Sequence, residues 1–201
     1  MVVEARVRAA AVSDAVAELS REVARSVVLV RGSRGSAGSG VVWDQPGLVI
    51  TNHHVVHGAT AEIVAADGRR ALGRVVRRAP SLDLAALRVD ADLGPRIHVG
   101  DSDAMRVGDL VLAVGNPMGE RNAPSLGIVA GAPDDVLRLS ITLRPGNSGG
   151  ALVNARGEVV GIPHLVAGSG LAMAVATRTV ARFLAGRVEE SASEDDDLFW
   201  V

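Results

Sequence analysis

Short apolar runs separated by turn residues fill the sequence from residue 27 to residue 175, and they limit the folds open to this chain. About a dozen can be read: SVVLV, GVVW, LVIT, AEIVA, ALGRVV, LAALRV, DLVLAV, LGIVAG, VLRLSIT, ALVN, EVVGI and LAMAV. Asp67-Gly68 and Gly94-Pro95 are among the turns between them, and a break near 94–108 leaves two groups of about six. Short strands with such turns predict an all-β barrel or sandwich rather than a parallel sheet.

Helices are expected on both sides of this strand-rich region. Apolar side chains recur at helical spacing over residues 12–27, where Ser13 or Asp14 could cap the N-terminus. A second, short helix should follow Thr177 and end at Gly186.

Composition excludes several classes of function. The net charge is −2 and no basic stripe stands out, which argues against a nucleic-acid partner. The chain has no Cys, so disulfides, thiol nucleophiles and thiolate metal sites are ruled out. No apolar run approaches the roughly 18 residues of a membrane span. The N-terminus lacks the apolar core of a signal peptide, so we expect either a cytoplasmic protein or one whose leader has been removed.

The stretch GNSGG, residues 146–150, is the most informative one for chemistry. Glycines around Ser148 allow unusual backbone dihedrals and a close approach to a substrate. The amides of Gly146 and Ser148 could then converge on a developing oxyanion. The alternative is a tight turn with no chemical role.

A serine hydroxyl needs a base, and TNHHVVH offers three of the five histidines of the chain. His53 and His57 are spaced like zinc ligands on a helix, but His54 stands where the HExxH motif requires Glu, so a metal site is disfavoured. Asp83 lies in the apolar run SLDLAAL. A carboxylate there should be buried and should therefore have a partner, unless it faces water at a strand start.

Together these segments resemble the trypsin-like proteases of the HtrA/Deg family. TNHHVV is similar to the family's TNxHVV, which carries over His54, and not His53, as the base. LDLAAL is similar to the family's aspartate motif and carries over Asp83, while RPGNSGGALVNARGEVVGI carries over Ser148. The resemblance runs from about residue 26 to 178.

The resemblance implies two six-stranded antiparallel β-barrels of the chymotrypsin type, with a catalytic triad in the cleft between them. It implies an oxyanion hole in the loop Gly146–Asn147–Ser148 and no metal or cofactor. The expected divisions are a helical segment 1–25, barrels 26–100 and 101–176, a helix 177–188 and an acidic tail 189–201.

The resemblance also implies polypeptide substrates, in particular unfolded or damaged proteins. The pocket for the cleaved residue should be lined by Ile141, Thr142, Leu143, Leu171, Ala172 and Met173. No acidic side chain lies there, so we expect a small aliphatic residue at the cleaved position. Too little sequence follows residue 188 for a PDZ domain. A homotrimer is an open alternative, as is a tail, Leu198–Val201, that binds a PDZ-type partner or a neighbouring subunit.

The same residues allow two rival functions. Residues 146–150 also fit the G-x-S-x-G motif of α/β-hydrolases, but that fold needs alternating strands and helices and the order Ser, acid, His. His164 is the only histidine after Ser148, and only Glu158 lies between them as an acid. A catalytically silent protease-like scaffold is the second rival, and the presence of all three triad residues argues against it.

Overall fold

The structure, a computed structural model, describes residues 2–133, 135–165 and 172–187, which form two closed antiparallel barrels and two helices. The first barrel consists of β1 (Val27–Arg31), β2 (Ala37–Val42), β3 (Leu48–Thr51), β4 (Thr60–Val64), β5 (Arg70–Ala79) and β6 (Leu84–Val89). The second consists of β7 (Leu110–Gly115), β8 (Ala123–Gly131), β9 (Val136–Ser140), β10 (Ala151–Asn154), β11 (Val159–Leu165) and β12 (Ala172–Ala176). Each apolar run supplies one strand, so the predicted chymotrypsin-like double barrel is confirmed.

The strand order explains how each barrel closes. It is β1-β2-β3-β6-β5-β4 in the first barrel and β10-β11-β12-β9-β8-β7 in the second. Burial alternates along most of β8, with the period of two expected for a strand whose one face points into a barrel. Each barrel has its own apolar core, and a third cluster joins both barrels to both helices through Val23 and Phe183.

The N-terminal helix α1 (Val2–Ala24) lies within the expected helical segment 1–25 but begins well before the apolar repeat at residues 12–27. The prediction of Ser13 or Asp14 as N-cap is wrong, because both residues lie inside the helix. Residues 2–12 contain no Gly or Pro, so nothing in the sequence stops the helix from extending toward its N-terminus. No helix within the described ranges is long and apolar enough to cross a membrane.

The C-terminal helix α2 (Thr177–Leu184) follows β12 directly. It buries Val180 and Phe183 against the third cluster. Gly186, with φ of +70°, lies two residues after its end, as expected for a helix terminator. The expected tail over residues 189–201 lies outside the described residues.

The segment between the barrels is fastened to the second one. Val159 N donates to His98 O at 2.7 Å, and Gly100 N donates to Val159 O at 2.8 Å. Asn116, at the end of β7, donates from Nδ2 to Val28 O on β1 at 3.0 Å. These bonds fix the two barrels against each other, so residues from both can meet at their joint.

Candidate active site

His54 lies in a 3-10 turn, His53–Val55, that follows the end of β3. The buried Asn52 donates from Nδ2 to Asp83 O at 2.8 Å, and His53 N donates to the same oxygen at 3.1 Å. The chain that leads into His54 is therefore fixed to the backbone of Asp83 before either side chain is considered.

Asp83 follows a second 3-10 turn, Pro80–Leu82, and has left-handed backbone angles, φ 51° and ψ 44°. Its Oδ1 accepts a hydrogen bond from His54 N at 3.0 Å, and its Oδ2 lies 2.8 Å from His54 Nδ1. The Asp83 side chain is 6% exposed and that of His54 is 23% exposed. The carboxylate in the apolar run thus has the partner that its burial requires.

The environment of Asp83 keeps its carboxyl group ionised. Burial on its own raises the pKa of this carboxyl, but the polar contacts with His164 and His54, and the attraction of the His54 ring, lower the pKa to about 2. An ionised carboxylate only accepts hydrogen bonds, so the proton between it and His54 belongs to Nδ1 of the ring. The other ring nitrogen, Nε2, is then the one able to accept a proton.

Ser148 lies in a loop that is attached to the first barrel. Ser39 N on β2 donates to Ser148 O at 2.8 Å, and Ser39 Oγ donates to Gly146 O at 2.7 Å. Gly146 and Gly149 have φ of +99° and +82°, which glycine adopts without strain. A Cβ on Gly149 would collide with Ser39 O and with Thr51 Oγ1, and Thr51 is the last residue of β3. The loop with Ser148 is thus packed against the strand end that leads to His54.

The amides of this loop have different uses. Asn147 N donates to Arg144 O at 3.0 Å and is therefore committed to the loop itself, although the sequence analysis placed Asn147 in the oxyanion hole. Among the backbone hydrogen bonds between described residues, none uses the amide of Gly146 or of Ser148 as its donor. These two remain the candidate oxyanion donors.

The predicted pocket residues fall into different environments. Leu143 and Ala172 are buried in the core of the second barrel, with Ile141 packed partly against it. Thr142 is exposed and Met173 is half-buried. Leu171 lies outside the described residues. Their role in selecting a substrate stays a prediction.

Arg78 on β5 is a functional residue that no sequence feature indicated. Its guanidinium donates to Val56 O at 2.6 Å, to Gly58 O, and to His53 Nδ1 at 3.2 Å. Burial, followed by the charge of Arg78, lowers the pKa of His53. Arg78 therefore holds the chain on the far side of His54, and its charge adds to the effect of burial in favouring the neutral form of His53. No sequence motif marks it, because β5 contains several arginines.

His164 is the second residue that was missed. The sequence pointed to it only as the histidine of the rejected α/β-hydrolase alternative, yet its Nδ1 lies 3.7 Å from Asp83 Oδ2. A histidine inside the apolar strand VVGIPHL is the signal that could have pointed to it. Within the described ranges, no group of three His, Asp or Glu side chains could hold a metal ion.

Two barrels that bring a His–Asp pair with a buried carboxylate and a glycine-flanked serine to their joint define the chymotrypsin-like class. The comparison with known families agrees, because residues 38–162 match the Trypsin-like peptidase domain family, and the chain belongs to it.

The most informative relatives are HtrA/Deg-type proteases. A protein of Marinomonas sp. (strain MWYL1), described as "Probable periplasmic serine endoprotease DegP-like", is 40% identical over 141 residues, which cover 66% of this chain and 30% of the relative. The HtrA-type protease AlgW, solved with a tripeptide, superposes with a TM-score of 0.78 at 30% identity and covers 86% of this chain and 63% of AlgW. A serine endoprotease from Yersinia pestis superposes with a TM-score of 0.77 at 30% identity, and the match covers 84% of this chain and 64% of the Yersinia chain. The chain thus spans about a third of the length of the first relative and under two thirds of each solved chain.

Proposed function

We propose that this chain is a serine endopeptidase in which Ser148 is the nucleophile, His54 the general base and Asp83 the group that orients and stabilises His54. The contact of 2.8 Å between His54 Nδ1 and Asp83 Oδ2 carries the proposal, because it selects the tautomer that the reaction needs. The attachment of the Ser148 loop to β2 and to the end of β3 supports it.

The reaction follows from this tautomer. Ser148 Oγ attacks the carbonyl carbon of a peptide bond while His54 Nε2 takes the hydroxyl proton. The amides of Gly146 and Ser148 stabilise the resulting oxyanion, and one such donor is typically worth about 10²- to 10³-fold in rate. His54 then gives its proton to the leaving amine as the C–N bond breaks. Water, deprotonated by His54, finally hydrolyses the acyl-enzyme and releases Ser148.

The substrates we propose are polypeptides in an unfolded or damaged state, with small aliphatic residues at the cleaved position. The absence of acidic side chains from residues 141–143 and 172–174 supports this preference, since nothing there would neutralise a bound Arg or Lys. Whether the chain works as a homotrimer can be tested by light scattering of the purified protein.

A fluorophosphonate probe tests the mechanism, because only an activated serine reacts with it rapidly. We expect the wild type to gain the mass of one probe molecule at Ser148. The variants S148A and H54A should remain unlabelled, while H57A, which removes an exposed neighbouring histidine, should label like the wild type. Folded wild-type protein that does not label would support the silent-scaffold alternative instead.

Cleavage of denatured casein provides a second test. S148A should lose nearly all cleavage and retain the circular dichroism spectrum of the wild type. Undiminished cleavage by S148A would remove Ser148 from the mechanism.

A further inference from the structure

The carboxylate of Asp83 contacts two imidazoles, one from each barrel. His54 comes from the turn after β3 in the first barrel, and His164 comes from β11 in the second. Both face Oδ2, His54 through Nδ1 at 2.8 Å and His164 through Nδ1 at 3.7 Å. The His164 side chain is only 10% exposed, so this is a contact within the interior and not a surface ion pair.

We propose that His164 is a positioning residue of the catalytic site: from the second barrel it supports Oδ2 of Asp83 and thereby holds the ring of His54 in its reactive orientation. The inference rests on the proposed function, and it adds a residue that acts through Asp83 and not on the substrate.

The geometry around Asp83 explains why a second contact matters. Oδ1 is held by His54 N at 3.0 Å, while Oδ2 is the oxygen that orients the His54 ring. Rotation of the carboxylate would move Oδ2 away from Nδ1 and release the ring. A second imidazole, with Nδ1 at 3.7 Å from Oδ2, opposes that rotation through packing and through the attraction between its polar N–H and the carboxylate charge. The depressed pKa of Asp83 is consistent with this support.

The position of His164 in the chain links the carboxylate to the nucleophile loop. Pro163, the residue before it, accepts a hydrogen bond from Gly149 N at 3.0 Å. The dipeptide Pro163-His164 therefore touches the residue after Ser148 and the carboxylate behind His54. One short piece of β11 thus sets how far the two halves of the site lie from each other.

The other titratable groups near the carboxylate have different partners. The charge of Asp83 acts to raise the pKa of His53, but the His53 ring accepts a hydrogen bond from Arg78 at 3.2 Å and so has a different partner. Arg78 itself is held by the carbonyls of Val56 and Gly58. His54 and His164 are therefore the two rings through which Asp83 can be positioned.

Two substitutions separate positioning from a merely structural role. H164L removes the donor while keeping an apolar side chain of similar size. H164N keeps a donor, because the Asn amide nitrogen reaches nearly the place of Nδ1. H98L, on the exposed His98, is the matched control. We expect kcat of H164L to fall about tenfold with KM changed less than twofold, because the loss of a polar contact at 3.7 Å loosens the carboxylate and leaves substrate binding intact. H164N should stay within about threefold of the wild type, and H98L should be unchanged.

A double-mutant cycle tests whether His164 acts through Asp83. In the background of D83N, the further change H164L should have no additional effect on the rate of fluorophosphonate labelling. The proposal is overturned if H164L slows labelling equally in the wild-type and D83N backgrounds. It is also overturned if H164L has the kcat of the wild type, or if H164L and H164N lose the same fraction of kcat.

Proton NMR provides a readout that does not need catalysis. The hydrogen-bonded Nδ1 proton of His54 should give a downfield signal that H164L broadens or shifts and H164N preserves. An unchanged signal in H164L would contradict the proposal, even if H164L unfolds too easily for kinetics or the wild type proves inactive. If the three proteins show this pattern of signals but the wild type does not react with the fluorophosphonate probe, the proposed function is disproved and the positioning role of His164 stands.

Discussion

Ser39 Oγ donates a hydrogen bond of 2.7 Å to Gly146 O, and so ties β2 of the first barrel to the loop that carries Ser148. The same hydroxyl oxygen accepts a bond of 2.7 Å from Asn116 N and one of 3.2 Å from Asn116 Nδ2. Ser39 is fully buried. The position of the proposed nucleophile therefore depends on a serine that takes no part in the chemistry.

The substitution S39A should weaken this junction. It leaves Gly146 O and Asn116 N without their buried partner, while Asn116 Nδ2 still donates to Val28 O. We therefore expect the free energy of unfolding to fall by about 1–3 kcal/mol. Fluorophosphonate labelling of Ser148 should also slow. Urea unfolding and the labelling rate provide the measurements. S13A, on an exposed position of α1, should change stability by less than about 0.5 kcal/mol. Equal stability of S39A and S13A would contradict the claim that Ser39 stabilises the contact between β2 and the Ser148 loop.

The substitution G149A should damage the site far more than an ordinary glycine replacement. Both Gly149 (φ +82°) and Gly108 (φ +93°) have left-handed backbones, but a Cβ at Gly108 meets no atom within 4 Å. G108A should therefore cost only backbone strain, about 1–2 kcal/mol. G149A adds collisions with Ser39 O and Thr51 Oγ1, so the protein should unfold more easily than G108A and lose labelling. Similar unfolding curves for both variants would show that the loop moves away at little cost.

Acid should destabilise the protein partly through Asp83. The folded pKa of about 2 lies below the ordinary 3.8, so its contribution to stability is complete above about pH 4 and is lost as the pH falls toward 2. This difference corresponds to about 2 kcal/mol. Between pH 4 and pH 2, the stability of D83N should therefore fall by about 2 kcal/mol less than that of the wild type. Denaturant titrations at several pH values measure this, with D44N at an exposed carboxylate as the control. An equal loss of unfolding free energy in the wild type and D83N between pH 4 and pH 2 would refute this contribution of Asp83.

The substitution R78M should loosen the segment after His54. It removes the donors to Val56 O and Gly58 O while keeping most of the apolar stem. We expect fluorophosphonate labelling to slow several-fold and stability to fall by about 1–3 kcal/mol. R74M, on the same strand, removes an exposed ion pair of 4.0 Å to Asp90 and should have almost no effect. An R78M protein that reacts and unfolds like R74M would show that this segment needs no such support.

Much of the fold could be predicted because its signal is local. Each apolar run became one strand, since alternation and turn residues act over a few positions. The N-cap of α1 was placed wrongly because residues 2–12 carry no cap signal, and helix propensity alone does not mark where a helix begins. The closure of the strands into two barrels was expected only through the family resemblance.

The sequence by itself determined which residues of the candidate site can take part in a reaction: a histidine after a buried strand, a carboxylate in an apolar run and a serine between glycines. Only the tertiary structure decided what surrounds them. His164 lies 81 positions after Asp83 in the chain, and Ser39 lies 107 positions before Gly146. Contacts of this kind leave no periodic trace in a single sequence, because they depend on how two closed barrels pack against each other.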